Sequence, residues 1–256
     1  MDGLLLNTED LITQCINTIL SRYDKPELPW SIKARIQGRS ARDSNVILLN
    51  WAQLPITENE YVEQLKGLHD EVFPTAEPLP GVQELLKELS ENNVALALAT
   101  SSTRQKFAIK TVTWTSLFAC FPEDCRVLGD DARVAKHKPA PDIYLRALRC
   151  LDEKISEPLT AAQCLVFEDS IQGVDAGRRA GMAVVWCPHP GLLHELLEGA
   201  IDDVRTHFQG VFGLSDSVKH MSNENLAELI TKTSNGWIRL VLSLEDFPYH
   251  AYRLSR

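Results

Sequence analysis

Four short stretches of this chain carry acidic, basic or hydroxyl side chains capable of chemistry. Phe167-Glu168-Asp169-Ser170-Ile171-Gln172-Gly173 sets two adjacent carboxylates after an apolar run, followed by a capping serine and a glycine. Adjacent acids at a strand tip suit a hard cation such as Mg²⁺, which takes only one or two protein carboxylates and keeps several waters. An acidic helix start favoured by the helix dipole accounts for the same pattern. Lys138, in Lys136-His137-Lys138-Pro139-Ala140-Pro141-Asp142, sits on a loop stiffened by prolines. It reads either as a point charge for phosphate oxygens or as an exposed loop charge, with Asp142 placed to cap the next helix. Thr100-Ser101-Ser102 closes an apolar run and is either a phosphate cradle of hydroxyl and backbone N–H groups or a plain helix cap. Asp2-Gly3 reads as the carboxyl end of a buried strand and a tight turn, ahead of a helix capped by Asn7 or Thr8.

These stretches need elements that bring them together. Val94–Ala99, Cys164–Phe167 and Ala183–Cys187 are short continuous apolar runs, the mark of strands covered on both faces, and helical spacing separates them at Val82–Leu89, Ile143–Leu151 and Val174–Ala180. Such alternation predicts a parallel sheet with right-handed crossovers, and polar residues at its strand ends then share one crevice. Thr8 to Phe73 instead shows helical periodicity, with Leu11, Ile12, Cys15, Ile16, Ile19 and Leu20 on one face. Prolines at 26, 29 and 55 break it, and Thr57 is placed to cap a later helix. Pro74 to Gly81, with three prolines, marks a hinge or boundary. Asn223–Ile230 reads as a helix and Ile238–Leu244 as a strand, while 198–222 shows no clear period. The expected architecture is α/β: a Rossmann-like doubly wound parallel sheet core, residues 1–7 and 79–256, with an inserted helical cap, residues 8–78.

With 256 residues and 44% hydrophobic content a sizeable core is expected, and the net charge of −9 argues against non-specific nucleic-acid or anionic-membrane binding. No apolar run approaches the roughly 20 residues of a membrane span, and no secretory signal is legible, so a cytoplasmic monomer is expected. The six cysteines lack C-x-x-C spacing and read as reduced, mostly buried small hydrophobes.

Taken in order, D-G-L-L, A-T-S-S, K-P-A-P-D and F-E-D-S-x-x-G-x-x-A-G-x-x-A-G-M resemble the haloacid dehalogenase-like hydrolase superfamily, in its helical-cap subgroup. Within it the likeness is to the pseudouridine-5′-phosphatase and sugar-phosphate phosphatase branch, over roughly residues 1–190. The resemblance implies a Mg²⁺-dependent phosphatase acting on a small phosphorylated metabolite through an aspartyl-phosphate. Of the first motif D-x-D, whose leading aspartate attacks phosphorus, Asp2 matches the second position, the general acid and base. The leading position falls ahead of Met1, together with a strand of about five apolar residues, whose burial at roughly 1.5–3 kcal/mol each rivals the stability of a typical domain. The resemblance assigns the phosphate-stabilising hydroxyl to Thr100, with Gly3, Ser101 and Ser102 beside it, and the neutralising lysine to Lys138. The metal falls to Asp169 with Glu168 and to Asp2, the last through its backbone carbonyl.

Cap residues Ile36–Ser44 resemble the loop with which related hexose-phosphate mutases grip a second phosphate, Arg42 standing at the matching place and Arg39 nearby. Ordinary cap-surface charge accounts for both arginines equally well. Ile12 stands where the mutases carry a histidine, which favours hydrolysis. The position of the nucleophile leaves a further alternative, a binding protein that holds Mg²⁺ and phosphate without turnover.

Overall fold

The computed structural model describes residues 1–155, 158–198, 202–214, 218–252 and 254. Helices α1 (Thr8–Arg22), α2 (Trp30–Ile36), α3 (Ala41–Ala52) and α4 (Glu58–Val72) gather around an apolar cluster of their own. Ile16, Ile19 and Leu20 of α1 lie one turn apart and pack there with Ile32 and Ile36 of α2, Leu48 of α3 and Tyr61 of α4. Thr57 and Glu60 form a full capping box at the start of α4. Neither expected cap of α1 is made: Asn7 stands at the cap position without a side-chain bond, and the Thr8 hydroxyl donates instead to Asp2. The chain leaves this layer beside its entry, since Asn7 N–H donates to Glu77 O (2.8 Å) and Leu79 N–H to Leu5 O (3.2 Å). The two crossings between layers are thereby tied together.

The second layer runs α5 (Val82–Glu91), β1 (Leu98–Ala99), α6 (Arg104–Thr111), α7 (Thr115–Phe118), β2 (Arg126–Val127), α8 (Asp142–Asp152), β3 (Leu165–Glu168), α9 (Ile171–Arg179), β4 (Ala183–Trp186), α10 (Pro190–Glu198), α11 (Asp202–Phe212), α12 (Asn223–Thr233) and β5 (Ile238–Leu240). Every strand pair is parallel, as the alternation predicts, and helices flank the strands. The sheet nevertheless comes in two pieces, β1-β2 and β3-β4-β5. A cavity of about 420 Å³ is lined by both, with Ala97 and Ala99 from one piece and Leu165 and Phe167 from the other, beside Met1, Leu4 and Leu5. This corrects the expectation of strands covered on both faces: Leu165 and Phe167 remain half-buried because they face the cavity. It also explains why only two residues of Val94–Ala99 pair as strand.

Within the stretch 198–222, assigned no role from its pattern, Phe208, Val211, Phe212 and Val218 belong to the core. Phe208 and Phe212, one turn apart on α11, are buried against Trp186, with ring centroids 5.8 and 5.0 Å away. Residues 199–201 and 215–217 lie outside the described residues. All six cysteines are free, as expected, with Cys15, Cys125 and Cys150 buried and the other three half-buried. Among the described residues no helix is long and apolar enough to cross a membrane. Because Phe208 is wholly enclosed, Phe208→Ala should cost about 3–5 kcal/mol in urea unfolding at unchanged slope. A loss below about 1 kcal/mol, the size of an ordinary surface change, would detach α11 from the core.

Candidate active site

Asp2 sits in a tight turn in which the Met1 carbonyl accepts N–H bonds from Leu4, Leu5 and Leu6 (3.4, 2.8 and 3.1 Å). The turn requires glycine at position 3, where φ is +63° and an added Cβ would stand 2.5 Å from Asp169 Oδ2. Gly3 therefore brings the two acidic stretches together. Its N–H is committed to Leu6 O (3.0 Å), so the expected phosphate bond from Gly3 is not on offer.

The Asp2 carboxylate is held on every side. Thr8 Oγ1 (2.6 Å) and Lys110 Nζ (2.5 Å) donate to Oδ1, and Ser102 Oγ (2.8 Å) donates to Oδ2. Burial works to raise its pKa, but Lys110 and these hydrogen bonds prevail and hold the carboxyl well below the usual carboxylate range. Lys110 is itself buried, stacks over the Phe73 ring at 4.4 Å and donates to Ser102 Oγ at 3.1 Å. Nothing in its spacing singles it out in the sequence; only the folded α6 turns it toward Asp2.

Thr100 ends β1, its N–H donating to Val127 O (3.0 Å) and its Oγ1 accepting from Ser102 N (3.1 Å). Thr100-Ser101-Ser102 is thus a loop rather than a helix cap, since Thr103 caps α6. All three residues line the cavity, and the Ser102 N–H and hydroxyl are committed to Thr100 and Asp2, which leaves the Thr100 hydroxyl and Ser101 as the uncommitted donors.

Lys138 donates to Glu168 Oε1, which also accepts from Tyr144 Oη (2.6 Å). Glu168 Oε2 accepts from the N–H groups of Asp169 and Ser170 and from Ser170 Oγ (3.1, 3.1 and 3.0 Å). With both oxygens filled, Glu168 anchors the lysine loop, and the metal role expected of it competes with these contacts. Despite burial, Lys138 and Tyr144 pull its pKa down. Asp142 does not cap α8, whose cap position is Pro141; its Oδ1 accepts from Lys136 N–H (3.2 Å) and so ties down the lysine loop.

Asp169 is the opposite case. It is buried and accepts one bond, from Gln37 Nε2 (2.6 Å), and burial together with Glu168 and Glu9 raises its pKa well above the usual range. A buried carboxylate short of positive partners fits a Mg²⁺ ion that keeps its waters. Among the described residues no three His, Cys, Asp or Glu side chains gather as a metal-binding group, so Asp2, Glu168 and Asp169 form no three-acid cage.

These groups line a cavity of about 170 Å³ between the two layers. The helical layer contributes Ile12, Ile16, Ile36, Leu48, Tyr61 and Leu65 as an apolar wall, and Lys33, paired with Glu9 at 2.5 Å, as a buried charge. Arg39 reaches only the rim: it is exposed and its Nε donates to Arg35 O (2.6 Å). Arg42 is exposed and is not among the lining residues, so the second-phosphate grip expected of it is not formed.

The family of haloacid dehalogenase-like hydrolases matches residues 1–187. The chain belongs to that family. A protein of Saccharomyces cerevisiae named "probable pseudouridine-5′-phosphatase" is 41% identical over 192 residues, 74% of this chain and 80% of that protein. An Arabidopsis thaliana (DL)-glycerol-3-phosphatase is 34% identical over 194 residues, 75% of this chain and 78% of its own length. A family IA haloacid dehalogenase hydrolase structure from Entamoeba histolytica shares the fold, with a TM-score of 0.61 over 90% of this chain and 96% of the other at 22% identity. This haloacid dehalogenase-like hydrolase therefore keeps company with named phosphatases, and the expected enzyme class and α/β fold stand.

Sequence reasoning missed His69, a lone histidine on α4 that lines the cavity and stacks on Phe73 at 4.1 Å. Burial, reinforced by Lys106 and Lys110, pushes its pKa down to about 3. The unfolded chain then binds a proton at this histidine between pH 6.5 and about 3 while the folded chain does not, so stability is full above 6.5 and lost as pH falls. From pH 7 to 5 the loss from this group should be about 2 kcal/mol. His69→Phe should remove that loss, read as a smaller drop in the urea midpoint between the two pH values. An unchanged drop would show that His69 is protonated in the folded state.

Proposed function

We propose that this hydrolase cleaves small phosphomonoesters, nucleoside or sugar phosphates, in the cavity between its helical cap, residues 8–78, and its α/β core, residues 1–7 and 79–256. The observation that carries the reading is the meeting of Asp2, Thr100, Lys138 and Asp169, drawn from four distant stretches, around one cavity sized for a small ester. Lys138, fixed by Glu168, supplies positive charge to the phosphoryl oxygens, and the Thr100 hydroxyl donates to one of them. Mg²⁺ at Asp169, when bound, would neutralise further charge on the transferring group. Asp2 moves the proton, to the leaving oxygen and then from the attacking water. In the related chemistry the phosphoryl group passes through a carboxylate two positions ahead of the aspartate that Asp2 matches. The apolar wall of the cap excludes water and seats the leaving group.

A second reading, phosphate and Mg²⁺ binding without turnover, draws on the three donors, Thr8, Lys110 and Ser102, that already occupy the Asp2 carboxylate. Mutase chemistry is disfavoured by Ile12 in the cavity wall and by the outward Arg42.

Phosphate release from ribose 5-phosphate decides between these. It is to be measured for the chain, and for a form extended ahead of Met1 by an apolar strand ending in aspartate two positions before Asp2. Turnover should require Mg²⁺, and Asp2→Asn should lower it about 10²–10⁴-fold in whichever form is active. Phosphate binding with no turnover in either form supports the second reading. Turnover that survives Asp2→Asn removes Asp2 from the mechanism.

A further inference from the structure

Two buried polar atoms in the cavity have no hydrogen-bond partner: Gln37 Oε1 and His69 Nε2. Both residues are 6% exposed, and both line the space beside the reacting groups, one from the end of α2 and one from α4. An unpaired buried polar atom is costly, and native structures rarely keep one without a use. Gln37 Oε1, an acceptor, cannot serve the phosphate, and the neutral His69 imidazole, stacked on Phe73, brings no charge to balance one. Gln37 is moreover fixed in place, because its Nε2 is bound to Asp169 and the neighbouring Gly38 packs on Ser170, where an added Cβ would lie 2.5 Å from Oγ.

The charges around the cavity add a second constraint. Apart from Arg39 at the exposed rim, the lining holds four lysines, Lys33, Lys106, Lys110 and Lys138, against four carboxylates, Asp2, Glu9, Glu168 and Asp169. A Mg²⁺ ion and a phosphate dianion also cancel, so the enclosed part of the cavity has no surplus charge for a second anionic group on the substrate.

We infer that His69 and Gln37 determine specificity by pairing with hydroxyl groups of an uncharged, polyhydroxylated leaving group, Gln37 Oε1 as acceptor and His69 Nε2 as donor or acceptor. The inference rests on the phosphomonoester reading and sharpens it: the site should favour esters of polyols over esters with an apolar leaving group or with a second phosphate. The neutral state of the imidazole fits this use, since a neutral ring can pair with a hydroxyl either way but cannot balance an anion. A site built to hydrogen-bond a hydroxyl discriminates strongly, because a substrate lacking it leaves these atoms unpaired in the complex.

The test compares ribose 5-phosphate, phenyl phosphate and ribose 1,5-bisphosphate on the wild-type chain, His69→Phe and His69→Gln, by turnover and by ligand-induced rise in melting temperature. In wild type ribose 5-phosphate should raise Tm most. His69→Phe should cut kcat/KM or affinity for ribose 5-phosphate about ten- to a hundredfold, leave phenyl phosphate within about twofold, and keep or raise the Tm of the free protein, because an unpaired buried group has been removed. His69→Gln should recover part of the loss. Equal losses on ribose 5-phosphate and phenyl phosphate, no loss on either, or a bisphosphate preferred by the wild type would overturn the inference. If no ester is turned over by the chain or by its extended form, the phosphatase reading fails while the Tm rises still decide what the cavity selects.

Discussion

The carboxylate of Glu168 is the contact on which the rest of the site depends. One oxygen receives Lys138 and Tyr144, and the other receives two backbone N–H groups and the Ser170 hydroxyl at the start of α9. A single buried charge thereby ties the proline-rich lysine loop, the end of β3 and a helix start into one body. Gly173 is part of the same arrangement, because a side chain there would collide with the Glu168 carboxyl itself. Removing either partner of such a pair leaves an uncompensated buried charge, which costs far more than the pair contributes in its intact state. Lys138 is consequently held in position by the protein itself, so a phosphate meeting it would spend little binding energy on ordering it.

The adjacent acid, Asp169, is kept short of positive partners by the same arrangement. Glu168 takes the lysine, and its negative charge then bears on Asp169, whose remaining contact is an amide from the cap. Two neighbouring carboxylates thus have divided environments, one neutralised by protein and one poised for a cation. Since Gln37 belongs to the helical layer, that layer touches Asp169 directly. The paired backbone crossings at Leu5–Asn7 and Glu77–Leu79 fix how that layer meets the core.

Much of this was legible in the sequence where local chemistry coincides with local structure. The parallel α/β alternation, the helical layer, the Ser170 and Thr57 caps and the convergence of Asp2, Thr100, Lys138 and Asp169 follow from apolar runs and from residues at their ends. Pattern failed where the deciding contact is distant in sequence. Lys110 lies 108 residues from Asp2, and Gln37 lies 132 from Asp169; no spacing rule connects such pairs. The division between Glu168 and Asp169 was illegible for a related reason: two adjacent acids are equivalent on paper, and only the reach of Lys138 and Tyr144 to one of them breaks the symmetry. In 198–222 the apolar signal is carried by a few aromatic residues on one turn of α11, too sparse for a period yet large enough to fill the space beside Trp186.

The grip on Asp2 sets a condition on any chemistry this residue performs. A general base is most effective when its pKa lies near the working pH, and Lys110 with its companions holds Asp2 far below that. The same donors, however, face the cavity: Lys110 and Ser102 both line it, and phosphate oxygens compete for them. Each donor drawn toward the substrate is withdrawn from Asp2, and each withdrawal raises the affinity of the carboxylate for a proton. Under the proposed function, basicity at Asp2 would therefore be coupled to phosphate in the cavity: the carboxylate would gain proton affinity only as its donors turn to the substrate.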